Sequence, residues 1–287
     1  MTLRTLAKTI AAIALAASAS AFPGAAVAQE LDDPADNENP QTAPGVNPKD
    51  NITKAEVIFQ HDNLENGVSV TTMALKYDIA FDANWGANIE LPISNLRGPV
   101  PPVTSRGGPA LLVEDTERPV TGSPGATFDA FGIGDLRLRS RNVRTYGRVS
   151  VLSAVELVVP TATDDLIGTG KWQINPVVGA VYAFDQQTFA FAGYKHYFSI
   201  AGDDQREDIN RSEGRALFAR LFTNATWVLG DIKYSKSHTG LEAETLDLEG
   251  EYGTMLSRSV ALSGRVGTSF LDSQRQFGLS LNLRKIF

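Results

Sequence analysis

The chain has no cysteine in 287 residues. That excludes disulfides, thiolate metal ligands and thiol catalysis, and it denies the N-terminus the residue that lipoprotein processing requires. Histidine is scarce as well: His61, His196 and His238 are the full set. With no carboxylate–histidine cluster, no transition metal is expected, and no catalytic or cofactor-binding residue is assigned. Long apolar runs are also missing. Nothing beyond the first residues approaches about 20 consecutive apolar positions, so a helical membrane span is excluded. Basic residues are outnumbered, 26 against 33 acidic ones, for a formal charge of −7. An acidic balance argues against a nucleic-acid partner.

Arg4 and Lys8 precede an apolar stretch from Ile10 to Phe22, and Ala26-Val27-Ala28 supplies a small-x-small cleavage pattern. Residues 1–28 therefore read as a secretory signal peptide. Its removal takes two positive charges and no acid, leaving a formal charge of about −9. Residues 29–52 hold two Asn-Pro steps, a run of acids and few apolar side chains. Such a composition predicts a disordered periplasmic leader, unable to plug a barrel.

From residue 53 to 287 the sequence alternates. The last residues, Phe277 to Phe287, place Phe277, Leu279, Leu281, Leu283 and Phe287 on one parity and Gly278, Ser280, Asn282 and Arg284 on the other. A strand ending on an aromatic carboxylate resembles the signal by which barrel assembly machinery recognises outer-membrane β-barrels, with Phe287 as that signal. Transmembrane strands need about 9 to 11 alternating residues. Candidates fall at 53–61, 68–81, 84–93, 131–142, 147–160, 171–184, 187–200, 212–222, 225–237, 241–253, 257–269 and 275–287. The connections alternate between long (62–67, 94–130, 161–170, 201–211, 238–240, 270–274) and short (about 82–83, 143–146, 185–186, 223–224, 254–256). A soluble β-sandwich gives no reason for that alternation. The expected fold is all-β, a transmembrane antiparallel up-and-down barrel of about 12 strands, in the outer membrane of a Gram-negative cell.

Parity assigns faces. Trp172, Ile174, Val178, Ala180 and Tyr182 point outward, with Lys171, Gln173 and Asn175 inward; Val149, Val151, Val155, Leu157 and Val159 oppose Arg148, Ser150 and Glu156. Val260, Leu262 and Val266 likewise oppose Ser259, Ser263 and Arg265. Trp85, Trp172, Tyr182, Trp227, Tyr234 and Tyr252 sit where interfacial girdles belong. Strands 187–200 and 212–222 resist assignment, because Lys195 and His196 are adjacent and Arg215 and Arg220 differ in parity.

A basic residue facing lipid at midplane costs about 2 to 4 kcal/mol, so the strand charges are expected inside. Pore-lining candidates are Arg137, Arg139, Arg141, Arg148, Glu156, Lys171, Asp231, Lys233, Asp247, Glu249, Glu251, Arg265 and Arg284. Arg137, Arg139 and Arg141 stand on the fourth of twelve strands and Asp247, Glu249 and Glu251 on the tenth, so a basic wall faces an acidic one. Either the charges pair and hold a narrow interior together, or they set a transverse field across a constriction. The long connection 94–130 is proline-rich and carries Leu111, Leu112 and Val113; it is either a surface loop or an inward lid.

Gly132-Ile-Gly-Asp-Leu-Arg137 opens one strand, and Val159-Pro-Thr-Ala-Thr-Asp-Asp-Leu-Ile-Gly-Thr-Gly170 comes after the next. These segments resemble a family of outer-membrane barrels named for the MetA pathway of phenol degradation, which shows Gly-x-Gly-Asp before a strand and Pro-Thr-Gly followed by Gly-x-Gly in the next outer loop. Ala162 stands where that family has Gly. The resemblance implies a channel or transporter for passive passage of small, often aromatic or hydrophobic solutes, with outer-membrane lipid and lipopolysaccharide as surroundings. The alternatives are a lipid-modifying barrel enzyme and a structural or adhesive barrel. Ser199 with His196, and Ser235 with His238, lie three apart on a strand and so face opposite ways; only a dyad built across strands stays open. Acidic outer-loop pairs such as Asp164-Asp165 and Asp203-Asp204 are read as solvated rather than as a Ca²⁺ site.

Overall fold

The structure is a computed structural model that describes residues 43–99, 127–240 and 243–287. Among these residues thirteen strands occur in chain order: β1 (Lys54–Leu64), β2 (Ser69–Ala80), β3 (Trp85–Pro99), β4 (Thr127–Ile133), β5 (Leu136–Tyr146), β6 (Val149–Val159), β7 (Lys171–Ala183), β8 (Thr188–Gly202), β9 (Asn210–Leu221), β10 (Thr226–Ser237), β11 (Glu244–Ser257), β12 (Val260–Leu271) and β13 (Arg275–Ile286). All pairings are antiparallel, and β1 pairs with β13 from Lys54↔Ile286 onward, which closes the sheet on itself. Both β4 and β5 pair with β3. They are two halves of one barrel strand, so the closed barrel has twelve. Between Ile93↔Ile133 and Glu90↔Arg137, four steps on β4–β5 match three on β3, which is a one-residue bulge that flips the side-chain phase.

The end where Phe287 meets Thr53 (N–H to O, 3.1 Å) is called proximal. Its hairpins are short, and two use the same device: Asp82 accepts the N–H of Trp85 and Asn84, as Asp185 accepts those of Gln187 and Thr188. These N–H groups hold both carboxyls below their ordinary pKa. The longer connections gather at the distal end, as alternation predicts. β3 runs to Pro99 and β4 begins at Thr127, so the long distal connection narrows to 100–126; that stretch, with Leu111, Leu112 and Val113, lies outside the described residues, as do residues 1–42.

Faces follow parity. Val149, Val151, Val155, Val178, Val266, Leu279, Leu281 and Leu283 are exposed on the outer wall, whereas Ser150, Glu156, Gln173, Asn175, Ser263 and Arg284 are buried. An apolar outer band around a polar interior is the pattern a bilayer requires. The two unassigned strands now have faces. Lys195 and Tyr197 on β8, with Arg211, Glu213 and Arg215 on β9, reach interior partners, while Tyr194, His196 and Ser212 bond one another on the opposite, outer face. Trp227 corrects the girdle expectation. It is 1% exposed and its Nε1 donates to Glu251 Oε1 at 2.9 Å, because it shares the parity of Asp231, which must point inward. Trp85, Tyr182, Tyr234 and Tyr252 do lie exposed on the wall.

The leader expectation also fails for its last part. Ala43 packs with Trp227 and Ala261, and Val46 touches both apolar clusters of the proximal interior. The Arg141 guanidinium donates to the carbonyls of Pro48 and Asp50 and to Asn51 Oδ1. Asn51 Nδ2 in turn donates to the carbonyls of Asp82 and Trp85, both at 2.6 Å. Residues 43–52 are thus folded into the proximal mouth. A proline-rich segment cannot form a ladder of its own, and Arg141 supplies the donors its carbonyls need.

Candidate functional site: the barrel interior

The interior is layered. At the distal end Leu64, Val68, Leu96 and Ala130 form an apolar cluster joined by Val70, Phe128, Leu166 and Ile167. At the proximal end Val181, Phe189, Leu217, Ala219 and Leu229 form another, against which Val46 packs. Between them runs a belt of charge.

The belt is paired strand by strand. Glu156, 2% exposed, accepts Lys195 Nζ at 2.7 Å and Asn175 Nδ2 at 3.1 Å on one oxygen and the Arg139 guanidinium on the other. Arg137 lies 3.6 Å from Glu90, which also holds Lys76 at 2.9 Å. On the far side Arg265 bridges Glu249 at 2.9 Å and Glu251 at 2.6 Å, and Arg275 reaches Glu249 at 2.7 Å. Asp231 takes the Arg215 guanidinium and, at 3.4 Å, Arg265; Lys233 lies 3.3 Å from Asp247. Glu56 on β1 holds Arg284 on β13 at 2.6 Å, tying the first strand to the last. The basic and acidic walls stand six barrel strands apart, but each is neutralised by its own neighbours. Pairing of this kind weakens a transverse field, since most of these charges find an opposite one or two strands away.

Twelve of the thirteen pore-lining candidates point inward. Arg148 does not: it occupies the two-residue turn between β5 and β6 and is exposed, since a hairpin tip has no inner face. Arg141 points inward but holds the proximal segment. Lys171 leans to the distal rim, where its ammonium and the Ser199 hydroxyl hold the Asp208 carboxyl below its ordinary pKa. Sequence reasoning missed Glu56, Glu90, Lys195, Arg215 and Arg275; the last shares the parity of the outward Phe277 and turns inward only through the register shift where Asn63↔Phe277 gives way to Leu64↔Arg275.

Above the belt sits a latch. Asp135, 6% exposed, accepts the Thr169 N–H and hydroxyl, both at 2.7 Å, on one oxygen and the Ala162 N–H at 3.2 Å on the other. Thr161 Oγ1 accepts Leu136 N–H at 2.9 Å and donates to Gly134 O at 3.1 Å. The loop 160–170 is therefore stitched to the β4–β5 bulge. The glycines of both motifs are needed for this approach: a Cβ on Gly132 would lie 2.2 Å from Thr163 Oγ1, and one on Gly168 would lie 2.0 Å from the Ala162 methyl.

A groove of about 1050 Å³ crosses the wall between β6 and β13, with Ala180, Ala192, Ala216, Gly230 and Gly250 flanked by Tyr182, Phe218 and Ile232. It marks small residues aligned on the outer face, with Asp231 and Glu249 of the belt also among its lining.

No family model and no curated protein matches the sequence. Solved structures do match its fold. An outer-membrane channel from Pseudomonas putida F1 superposes with a TM-score of 0.62 at 13% identity, covering 88% of this chain and 100% of that one. The KdgM porin gives 0.52 at 8% identity, covering 81% and 99%, and the NanC porin 0.53 at 6%, covering 82% and 99%. Their shared property is the closed barrel of outer-membrane channels. That is the coarser part of the likeness to the MetA-pathway family, for which there is no family match.

Proposed function

We propose that the protein, freed of its signal peptide, is a passive outer-membrane conduit for small solutes, aromatic or hydrophobic ones among them. The observation that carries the reading is the closed barrel with an apolar outer band around a belt of paired charge. The distal apolar cluster favours solutes with an apolar body, and the filled belt favours small ones. Similar solved barrels are channels and porins rather than enzymes. In this reading the proximal end is periplasmic. Phe287, exposed and 6.2 Å edge-on from Tyr77, presents the aromatic terminus to the assembly machinery, and the exposed distal loops meet lipopolysaccharide.

The enzyme alternative has one observation behind it. Ser212 Oγ lies 2.8 Å from His238 Nε2 and 3.3 Å from His196 Nδ1 on the outer face. Among the described residues no carboxylate bonds either imidazole, so the orienting member of a triad is missing. Conductance of refolded residues 29–287 in planar bilayers, with phenols and aromatic acids as blockers, tests the conduit. Discrete steps interrupted by a solute are the expected result; a folded, silent barrel that hydrolyses phospholipid overturns it.

A further inference from the structure

The wall is not uniformly laddered. Along β7 and β8 the register runs Trp172↔Ala201 and Gln173↔Ser199, then resumes only at Val177↔Lys195. Ile174, Asn175 and Pro176 still pair with Leu157, Glu156 and Val155 of β6, and His196, Tyr197 and Phe198 still pair with Ser212, Arg211 and Asn210 of β9. The two triplets do not pair with each other.

The cause is in the sequence. Ala183 N–H bonds Arg148 O across one hairpin, and Phe184 N–H bonds Thr188 O across the other. Even-numbered residues of β7 therefore turn their backbone toward β8. Pro176 is even-numbered and has no N–H, so the His196 carbonyl opposite it loses its ladder donor.

Both sides of this seam are polar. Outside, Tyr194 OH lies 3.0 Å from His196 Nδ1 and 3.0 Å from Ser212 Oγ. Inside, Gln173, Asn175 and Tyr197 line a small cavity of about 10 Å³, and Asn175 Oδ1 is buried with no hydrogen-bond partner. An unsatisfied acceptor beside a break in the wall is a waiting place for a donor. Below it, Val46 packs against the proximal apolar cluster.

We propose that the β7–β8 seam at Pro176 is a lateral portal. Small aromatic solutes with an apolar body and at most one hydrogen-bonding head pass through it between the lumen and the outer leaflet. The inference rests on the conduit reading and adds the route. Opening requires the unpaired triplets to part, while the ladders on either side stay closed.

The chain has no native thiol, so a cross-link can be placed alone. Extending the register puts Ile174 opposite Phe198, both outward, and Ile174→Cys with Phe198→Cys locks the seam when oxidised. Ala216→Cys with Ile232→Cys, an intact pair of β9 and β10, is the control. The readout is entry of N-phenyl-1-naphthylamine, an apolar aromatic amine, into Gram-negative cells expressing each variant, alongside potassium chloride conductance in bilayers. Expected is a several-fold slower entry in the oxidised seam variant, restored by reductant, with conductance and the control unchanged. Equal entry before and after reduction overturns the portal, as does wild-type protein that speeds entry no more than an empty vector. Loss of conductance in wild type overturns the conduit reading instead. If the cysteine pair fails to fold, Pro176→Thr, which returns the N–H, must slow entry in the same assay.

Discussion

Two interruptions of the barrel wall lie beside a proline, and they differ in what covers them. At the first, Pro92 faces the bulge between β4 and β5. There Gly134 N–H bonds Pro92 O at 2.9 Å, and the loop 160–170 is clamped over the break by Asp135. At the second, Pro176 faces His196 and no loop is stitched across. A proline in a barrel strand costs one ladder bond in either place. Whether the wall is sealed or merely thinned is decided by a neighbouring carboxylate and the close-approach glycines Gly132 and Gly168, not by the proline.

Removing the seal is the largest test of that difference. Asp135→Ala strips the acceptor from two N–H groups and a hydroxyl, each costing about 1–3 kcal/mol if left unpaired and buried. Expected is a barrel that loses its heat-resistant migration at lower temperature and admits N-phenyl-1-naphthylamine faster than wild type. A variant as tight and as stable as wild type would mean that loop 160–170 is held by its packing alone.

Glu156 belongs to both interruptions: Arg139 from the bulged strand and Asn175 and Lys195 from the open seam converge on it. Glu156→Gln leaves two interior cations short of their anion. Breaking a buried pair costs about 3–5 kcal/mol, and the partly exposed Arg139 places this case at the low end. Conductance in asymmetric salt is expected to shift toward anions; an unchanged reversal potential would show that the belt does not line the ion path.

Glycine separates the two regions more gently. Gly168→Ala forces a methyl against Ala162 and Asp135 and is expected to cost about 1–3 kcal/mol in urea unfolding. Gly250→Ala, whose added Cβ meets nothing within 4 Å, is expected to leave the midpoint where it is. Equal shifts in the two would break the argument that close approach is what seals the bulge.

Much of this was legible in the alternation of the chain. The strand count, the placing of long and short connections, and the faces of β6, β7, β12 and β13 all follow from charges avoiding lipid. Parity failed where its premise fails. At the distal rim the outer face is polar, so His196 beside Lys195 looked like a contradiction although one points out and the other in. Near the proximal rim Arg220 points outward, donating to Thr188 Oγ1 at 3.2 Å, opposite in phase to Arg215. The bulge was invisible because Asp135 and Arg137 agree in parity and hide the slip just before them. Residues 43–52 carried too little hydrophobicity to announce a fold, and Arg141, which donates to their carbonyls, is one of three similar arginines.

The smallest expected effect falls at the open seam. Pro176→Thr restores a backbone donor facing the His196 carbonyl, at an outward position where a β-branched residue suits a strand. One added ladder bond contributes roughly 0.5–1.5 kcal/mol, so the unfolding midpoint is expected to rise slightly while the belt and the latch stay as they are. The same exchange at Pro92→Thr gives no comparable gain, because there the break is already bridged. If Pro92→Thr stabilised the barrel more than Pro176→Thr, the first interruption would be the weaker of the two and the contrast between a sealed and an open wall would be reversed.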